Sequence, residues 1–331
     1  MKKNEKKART PSVSPRPDGF MSVLLCAIAM GVILIASVID KFIFPFGNEP
    51  LSPIIAQILI LFIPAYVFMI MASSGKNTVD QMRDVGVTRL RAKYLFLLIF
   101  TAFFAICTSL LLNLIFGGAY PASKGFTLLG AFRAGEQEFS VSSPYLIATY
   151  ALIPAFVEEF AFRGVIFRSF RDTNTTFASV LSSILYALFF FSPAQIPEAI
   201  FCGLIFSFVL ITTDSLLSCI AVHFVVNLYR LFLQTNVSQY FLSSHNDFLL
   251  VTVVVLAWLL SAALFSAEAA RIFRARATDR GTEQKKAVGS KIFDVKELWL
   301  DIKSTVLFKP TLITAIICVV LYIAITVVGN I

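Results

Sequence analysis

The chain has little charge for its length. Asp, Glu, Lys and Arg make up 15% of its 331 residues, whereas hydrophobic residues make up 57%. Soluble globular domains average about 45 to 50% apolar and about 25% charged residues. The scarcity of charge therefore excludes a soluble globular protein and indicates a membrane protein.

The sequence also lacks paired cysteines. Its five cysteines lie inside apolar runs, and no two of them are spaced as CxxC: Cys26, Cys107, Cys202, Cys219 and Cys318. Disulfide frameworks and zinc sites require closer or paired spacing. The cysteines therefore indicate packing residues, and they define no redox compartment.

Long apolar runs predict the fold. A helix that crosses the hydrocarbon core needs about 20 apolar residues. We predict an all-α, polytopic transmembrane helical bundle of about nine spans, near residues 20–39, 52–72, 94–116, 145–170, 177–192, 196–213, 215–234, 248–266 and 311–329.

Lys and Arg are concentrated in alternate loops. Six lie before residue 20, five in 74–93, three in 163–171 and ten in 267–310. Because cytoplasmic loops collect these residues, we predict a multi-pass protein of the cell membrane with a cytoplasmic N-terminus and, with nine spans, an outward C-terminus. The net charge of +8 is then explained by contact with the lipid bilayer, and it does not predict nucleic acid binding.

Four regions are expected along the chain. Residues 1–19 form a disordered basic cytoplasmic tail, 20–140 hold N-terminal transmembrane helices and an outer loop, and 141–235 form a core that carries the motifs below. Residues 236–331 hold the C-terminal transmembrane helices. Their cytoplasmic segment repeats apolar residues between 292 and 306 at helical spacing, which is typical of an interfacial helix or of a loop helix packed on its own protein.

Glu158, Glu159 and Arg163 place charge inside the fourth apolar run. Each ionised group at the bilayer centre costs roughly 2.5 to 3.5 kcal/mol, so such residues usually have a function. Glu159 and Arg163 are four positions apart and share a helix face, which predicts an ion pair. Glu158 has no partner along the helix and is a candidate proton acceptor. Alternatively, the helix ends near residue 163 and both carboxylates lie at the cytoplasmic surface.

His223 and Asn227 lie one helical turn apart in the seventh run. Both side chains can donate hydrogen bonds towards a common point, which suits the stabilisation of developing negative charge. The alternative is a structural hydrogen bond between helices. The other histidine, His245, lies in a polar stretch and is predicted to be a solvated loop residue.

Together these motifs resemble the CPBP family of intramembrane proteases, also called the CAAX protease and bacteriocin-processing or Abi family. The family's motifs are EExxxR, FxxxH and HxxxN on successive helices. The first is matched by Glu158, Glu159 and Arg163, and the third by His223 and Asn227. In the middle motif, Tyr186 stands at the Phe position and Phe190 at the His position. The similarity covers about residues 145–230. It includes residues 203–223, which resemble the family sequence that leads into the last motif, and residues 85–89 show a weaker similarity.

The resemblance implies a mechanism. Glu158 would be the general base, Glu159 and Arg163 a supporting pair, and His223 and Asn227 the oxyanion donors. The substrate would be a membrane-associated peptide or protein, with prenylated CAAX proteins as one possibility. The resemblance leaves metal dependence open, and a divalent metal such as zinc would have Glu158 and His223 as candidate ligands.

Phe190 removes one polarising contact to the attacking water and one potential metal ligand. A catalytic zinc normally has three protein ligands, so the substitution also argues against a zinc site. We therefore expect an intramembrane endopeptidase with reduced activity. The alternatives are a catalytically impaired pseudoprotease that acts as a membrane binding or scaffold protein, and a transporter that uses the carboxylates as a proton relay.

Overall fold

The computed structural model describes residues 17–42, 57–72, 76–116, 144–171, 174–190, 195–234, 247–279 and 309–330. Helices and short connections make up these residues, and no strand occurs among them. The predicted all-α membrane bundle is therefore confirmed. Its helices are α1 (Pro17–Phe42), α2 (Ile58–Ala72), α3 (Thr78–Asp84), α4 (Leu95–Phe116), α5 (Pro144–Arg171), α6 (Thr175–Leu188), α7 (Ile196–Thr213), α8 (Leu216–Tyr229), α9 (Asp247–Asp279) and α10 (Lys309–Asn330).

By length and composition, four of the described helices can cross a membrane. Their membrane-length segments are Ala92–Leu112, which begins in a 3-10 turn before α4, Pro144–Arg171, Ile196–Thr213 and Val251–Ala275. The apolar segments identified in the other helices, such as Val23–Ile35 and Ile313–Val327, span 10–17 residues. Each of the nine predicted runs overlaps one described helix, and the number of spans stays a prediction.

Two helices contain π-helical turns directly before an Ile–Pro pair. In α2 the Ile63 N–H donates to the Ile58 carbonyl, and in α5 the Ile153 N–H donates to the Ala148 carbonyl. Proline follows in both cases, at positions 64 and 154. Because proline lacks an N–H and its ring crowds the carbonyl four residues earlier, the α-helical ladder cannot run through it unchanged. The wider turn is the local result of this constraint.

The helix α5 contains a second and longer π segment, Phe160–Phe167. It begins directly after Glu159, and all eight of its residues are buried. Segments of this type are rare and are frequently found at functional sites. In this chain the segment carries Arg163 and runs into the last α-helical turn, which ends at Arg171.

Helices α5 to α8 pack together and form the centre of the described bundle. On one side, α4 packs against α7 and α8, and α9 packs against α4. On the other side, α1 packs against α2, α5 and α10. Large apolar side chains on the outer helices stay exposed, as expected for surfaces that face lipid; examples are Leu256, Leu259, Ile316 and Val320.

A short loop after α3 is bonded to the start of α8. The Leu216 N–H donates to the Gly86 carbonyl at 2.7 Å, and the Ser215 hydroxyl donates to the Thr88 carbonyl at 3.0 Å. Gly86 has a φ of +87°, and a Cβ there would lie 2.1 Å from Arg168 Nη2. Glycine adopts this positive φ without steric cost and has no Cβ to meet Arg168. The 85–89 segment therefore contacts the central helices directly.

Several predictions concern residues outside the described ranges. These are the N-terminal tail up to residue 16, the outer loop 117–143, His245 and the amphipathic segment 292–306. The division of the chain into four regions likewise stays a prediction.

Candidate active site in the helical bundle

Glu159 and Arg163 form a buried ion pair. Arg163 Nη1 lies 3.2 Å from Glu159 Oε1, and both side chains are 0% exposed. The predicted i to i+4 pairing is therefore present. The helix does not end near residue 163 as the alternative supposed, because α5 continues to Arg171; Glu158 is only 1% exposed, and its depth in the membrane stays a prediction.

His223 of α8 lies between the two glutamates. Its Nδ1 is 2.9 Å from Glu159 Oε1, and its Nε2 is 3.7 Å from Glu158 Oε2. Because the Glu159 carboxylate pairs with Arg163, it is an acceptor, and the proton on the imidazole is assigned to Nδ1. The Glu159 carboxylate thus fixes the orientation of the ring and turns Nε2 towards Glu158.

The carboxyl group of Glu158 is buried but still has free capacity to accept a hydrogen bond. Within the described residues, neither of its carboxyl oxygens makes a hydrogen bond of ordinary length; the Tyr186 hydroxyl faces the carboxyl, and His223 Nε2 lies 3.7 Å from Oε2. Buried polar groups are nearly always hydrogen-bonded, and an exception requires an explanation. The arrangement leaves Glu158 able to accept a hydrogen bond or a proton from a group that enters the site.

Aromatic rings enclose the charged groups. The guanidinium carbon of Arg163 lies 4.5 Å from the ring centroid of Tyr186 and 5.4 Å from that of Phe206. Phe206 also stacks on the imidazole of His223, with centroids 4.6 Å apart. Cations over aromatic faces are stabilised by the ring quadrupole, more strongly when water is excluded. The rings therefore help Arg163 and His223 to stay buried.

Gly203 of α7 makes room for this arrangement. A Cβ at this position would lie 2.7 Å from Ser183 Cβ and 3.0 Å from Arg163 Nη2. Contacts this short force atoms to move. The absence of a side chain therefore lets α7 approach α6 closely and leaves space for the guanidinium.

Tyr186 of α6 is a site residue that the sequence analysis did not assign. Its hydroxyl oxygen lies 3.5 Å from His223 Nε2, and it faces the Glu158 carboxyl. The ring of Phe190, one turn later, meets the Tyr186 ring edge-on at 4.9 Å. From the sequence, Tyr186 was placed only at the Phe position of the middle motif, whereas the structure directs its polar end into the site.

Asn227 lies one turn beyond His223 but contacts a different part of α5. Its Nδ2 donates to the Ala151 carbonyl at 3.4 Å. Ala151 precedes Glu158 by seven residues, which is about two helical turns. The structure thus brings together Glu158, Glu159, Arg163 and His223, and it places Asn227 beside this group.

These residues do not fit a zinc site. Glu159 occupies His223 Nδ1, so the Glu158 carboxylate and His223 Nε2 are the two groups left to bind a metal. Among the described residues, no group of three or more His, Cys, Asp or Glu side chains could hold a metal ion. A catalytic zinc normally has three protein ligands. We therefore derive no step through a metal.

A second buried ion pair lies next to this site. Arg230 Nη2 is 2.8 Å from Glu198 Oε1, and the Ser109 hydroxyl donates to the same carboxylate oxygen. Neither residue is among the site residues predicted from the sequence. A signal for the pair was present, because Glu198 is the single Asp, Glu, Lys or Arg residue in the 196–213 run and Arg230 is the single one in 215–234.

The central helices match a known family. Residues 140–229 match the family model described as type II CAAX prenyl endopeptidase Rce1-like. This segment is therefore similar to the CAAX protease (CPBP) family. The matched range covers α5, α6, α7 and α8, and α5 and α8 carry the four clustered residues. Comparisons with curated proteins and with solved structures give no match.

Proposed function

We propose that the protein is an intramembrane endopeptidase that hydrolyses a peptide bond of a membrane-associated substrate with water activated by Glu158. The main support is the open carboxyl group of Glu158, buried beside a histidine whose orientation is fixed by Glu159. The family match of residues 140–229 supports the peptidase class. The geometry supports the assignment of Glu158 as the base, because its buried carboxyl makes no ion pair with an arginine or lysine and no hydrogen bond of ordinary length in the described part of the chain.

The charges around the site define the protonation state that this mechanism requires. Glu158, Glu159 and Glu198 are three buried carboxyls, and Arg163 and Arg230 are two buried guanidiniums. One additional proton balances these charges. When Glu158 is ionised and can act as a base, this proton belongs on His223. Both ring nitrogens of His223 are then donors, with Nδ1–H directed to Glu159 and Nε2–H directed into the site.

The reaction follows from these positions. Glu158 removes a proton from water, and the water oxygen forms a bond to the carbonyl carbon of the substrate. The carbonyl oxygen takes the electron pair and becomes an oxyanion, which accepts a hydrogen bond from His223 Nε2–H. The C–N bond then breaks, and Glu158 returns the proton to the amine. In this proposal Asn227 remains a second oxyanion donor, on the family resemblance.

The basic segments support an orientation. Arg168 Nη1 donates to the Asp84 carbonyl at 2.8 Å, so the basic regions 74–93 and 163–171 lie at the same end of the bundle. Because basic loops stay in the cytoplasm, we propose that this end and the N-terminus are cytoplasmic. Substrates would then be cytoplasmic or membrane-embedded peptides, and prenylated CAAX termini are the first class to test.

A pseudoprotease is the second candidate, and the observation that favours it is Phe190. An apolar ring occupies the position of the middle-motif histidine and packs on Tyr186. The polar cavity would then bind a peptide without cleaving it. The open carboxyl of Glu158 argues for catalysis, because ionisable groups inside a membrane are costly to retain without use.

The test is peptide cleavage by the purified protein in lipid nanodiscs. The substrates are membrane-associated peptides with and without prenylated CAAX termini, and products are identified by mass spectrometry. Glu158→Gln should lower the rate by about 10²- to 10⁴-fold, the usual contribution of a general acid–base group. Glu268→Gln is the matched control, because Glu268 pairs with Arg271 on α9, outside the site.

Two outcomes would contradict the proposal. Cleavage that survives Glu158→Gln would show that Glu158 is not the base. A wild-type protein that cleaves nothing, together with a Phe190→His variant that does, would support the pseudoprotease.

A further inference from the structure

Tyr186 has a hydroxyl group that packing does not require. Its side chain is 0% exposed, and its ring packs edge-on against Phe162 at 5.3 Å and against Phe190 at 4.9 Å. A phenylalanine would make the same ring contacts without a polar group to bury. A buried tyrosine hydroxyl usually has a hydrogen-bond partner. The groups that the Tyr186 hydroxyl meets are His223 Nε2 and the Glu158 carboxyl.

The aromatic contacts fix the direction of this hydroxyl. The Arg163 guanidinium lies over one face of the Tyr186 ring, at 4.5 Å from the centroid, and the rings of Phe162 and Phe190 meet it edge-on. A tyrosine side chain has two rotatable bonds that place its ring, and close packing restricts both. The hydroxyl is therefore held in place before a substrate arrives, as electrostatic stabilisation requires.

The position of the hydroxyl suits an oxyanion donor. Donors in such sites lie about 2.7 to 3.1 Å from the oxyanion. Tyr186 Oη and His223 Nε2 are 3.5 Å apart, so one oxygen atom can lie within that distance of both. The described hydrogen bond of the Asn227 amide is instead made to Ala151, about two turns from Glu158.

We propose that Tyr186 is a catalytic residue, whose hydroxyl donates a hydrogen bond to the carbonyl oxygen of the scissile bond as that oxygen becomes an oxyanion. This inference rests on the proposed peptidase function and adds a donor to it. The proton stays on the tyrosine throughout, and no bond to Tyr186 forms or breaks. His223 Nε2–H and Tyr186 O–H then bind the same oxygen on the side of the site that faces α6.

The first test compares Tyr186→Phe with Tyr322→Phe in the nanodisc cleavage assay. Tyr322 is a buried tyrosine on α10, which packs mainly against α1 and lies outside the site. Tyr186→Phe should lower kcat by about 10²- to 10³-fold with little change in KM, because an oxyanion donor acts in the transition state. Tyr322→Phe should leave both constants unchanged. A Tyr186→Phe variant that keeps kcat within about threefold of wild type would overturn the proposal.

A second measurement does not depend on activity. The chain has two histidines, so ¹⁵N-histidine labelling gives two sets of ring signals, and His245→Gln identifies those of His223. Tyr186→Phe should move the Nε2 resonance of His223, and Tyr322→Phe should leave it unchanged. An unmoved resonance in the Tyr186 variant would contradict the hydrogen-bond geometry. If the wild type cleaves no peptide, the peptidase function fails, and this spectrum still decides whether the Tyr186 hydroxyl binds His223.

Discussion

Two buried glutamates in neighbouring helices differ in their hydrogen bonds. Glu198 accepts from the Ser109 hydroxyl and from Arg230 Nη2, and the same guanidinium nitrogen lies 3.5 Å from Cys202 Sγ. Glu158 is also buried, but among the described residues neither of its oxygens pairs with a guanidinium or makes a hydrogen bond of ordinary length; only the Tyr186 hydroxyl and His223 Nε2 face it. Burial alone therefore does not separate a structural carboxylate from a reactive one. The hydrogen-bond partners of each group do.

The difference has an energetic basis. A buried ion pair with good geometry roughly offsets its own desolvation, so Glu198 and Arg230 hold α7 and the end of α8 together at little net cost. A buried carboxyl without a partner bears that cost alone. Such a group is retained when a ligand or a reaction uses it. The open carboxyl of Glu158 is thus the stronger evidence for function.

The comparison predicts opposite effects on stability when each glutamate becomes leucine. Glu198→Leu leaves the buried Arg230 guanidinium without its carboxylate and should lower the free energy of unfolding by about 3 to 5 kcal/mol. Glu158→Leu removes a buried carboxyl that has no arginine or lysine counter-ion and leaves no cation unpaired, so it should change the free energy of unfolding by less than about 1 kcal/mol, or raise it. Unfolding in mixed detergent micelles, followed by circular dichroism, measures both. Equal losses in the two variants would remove the distinction between the sites.

Removing both partners of the structural pair should reverse most of that loss. Glu198→Leu combined with Arg230→Met replaces the ion pair with apolar side chains of similar size. Such replacements are often neutral or stabilising, so the double variant should be within about 1 kcal/mol of wild type. The same unfolding measurement applies. A double variant as unstable as Glu198→Leu alone would show that the pair has a role beyond charge compensation.

The polar group that Tyr186 directs towards Glu158 can be shifted to position 190 by two substitutions. Tyr186→Phe combined with Phe190→His restores the Phe-x-x-x-His order of the middle motif, and the ring at 190, just after the end of α6, lies 4.9 Å from the Tyr186 ring. The double variant should cleave about tenfold faster than Tyr186→Phe alone, equivalent to about 1.4 kcal/mol of barrier. Phe190→His in the Tyr186 background is the control. No gain in either background would show that position 190 does not reach the reacting groups.

Metal removal should have the smallest effect. Because Glu158 and His223 provide two ligands and the described residues supply no third, treatment with a strong chelator should change the cleavage rate by less than about twofold. A metal-dependent peptidase reconstituted in the same nanodiscs is the positive control. Loss of activity that zinc restores would show that the open site of Glu158 holds a metal.

Contacts between residues of the same helix could be predicted from the sequence. Contacts between different helices could be predicted less well. Glu159 and Arg163 share a face of α5 because of their spacing, so their ion pair could be predicted. The meeting of His223 with these residues depends on how α5 and α8 pack, and spacing within α8 carries no information about that. Here the family motifs supplied what the helical period could not.

Two features were missed for different physical reasons. The side chain of Tyr186 has an apolar ring and a polar hydroxyl. Whether the hydroxyl points into the site depends on the rotation of α6 and on the neighbouring aromatic rings. Glu198 and Arg230 lie on separate helices, 32 residues apart. Their isolated charges in apolar runs were a usable signal, because a buried charge inside a membrane requires a counter-ion.

Gly203 has a consequence for protein design. The position contributes no side chain to the site, yet the space beside it is occupied by Arg163 Nη2 and by Ser183. A bundle built to carry the same glutamates, arginine and histidine would therefore also need a residue without a Cβ on the facing helix. Copying the charged residues alone would transfer the chemical groups of the site without the interhelical distance that accommodates them.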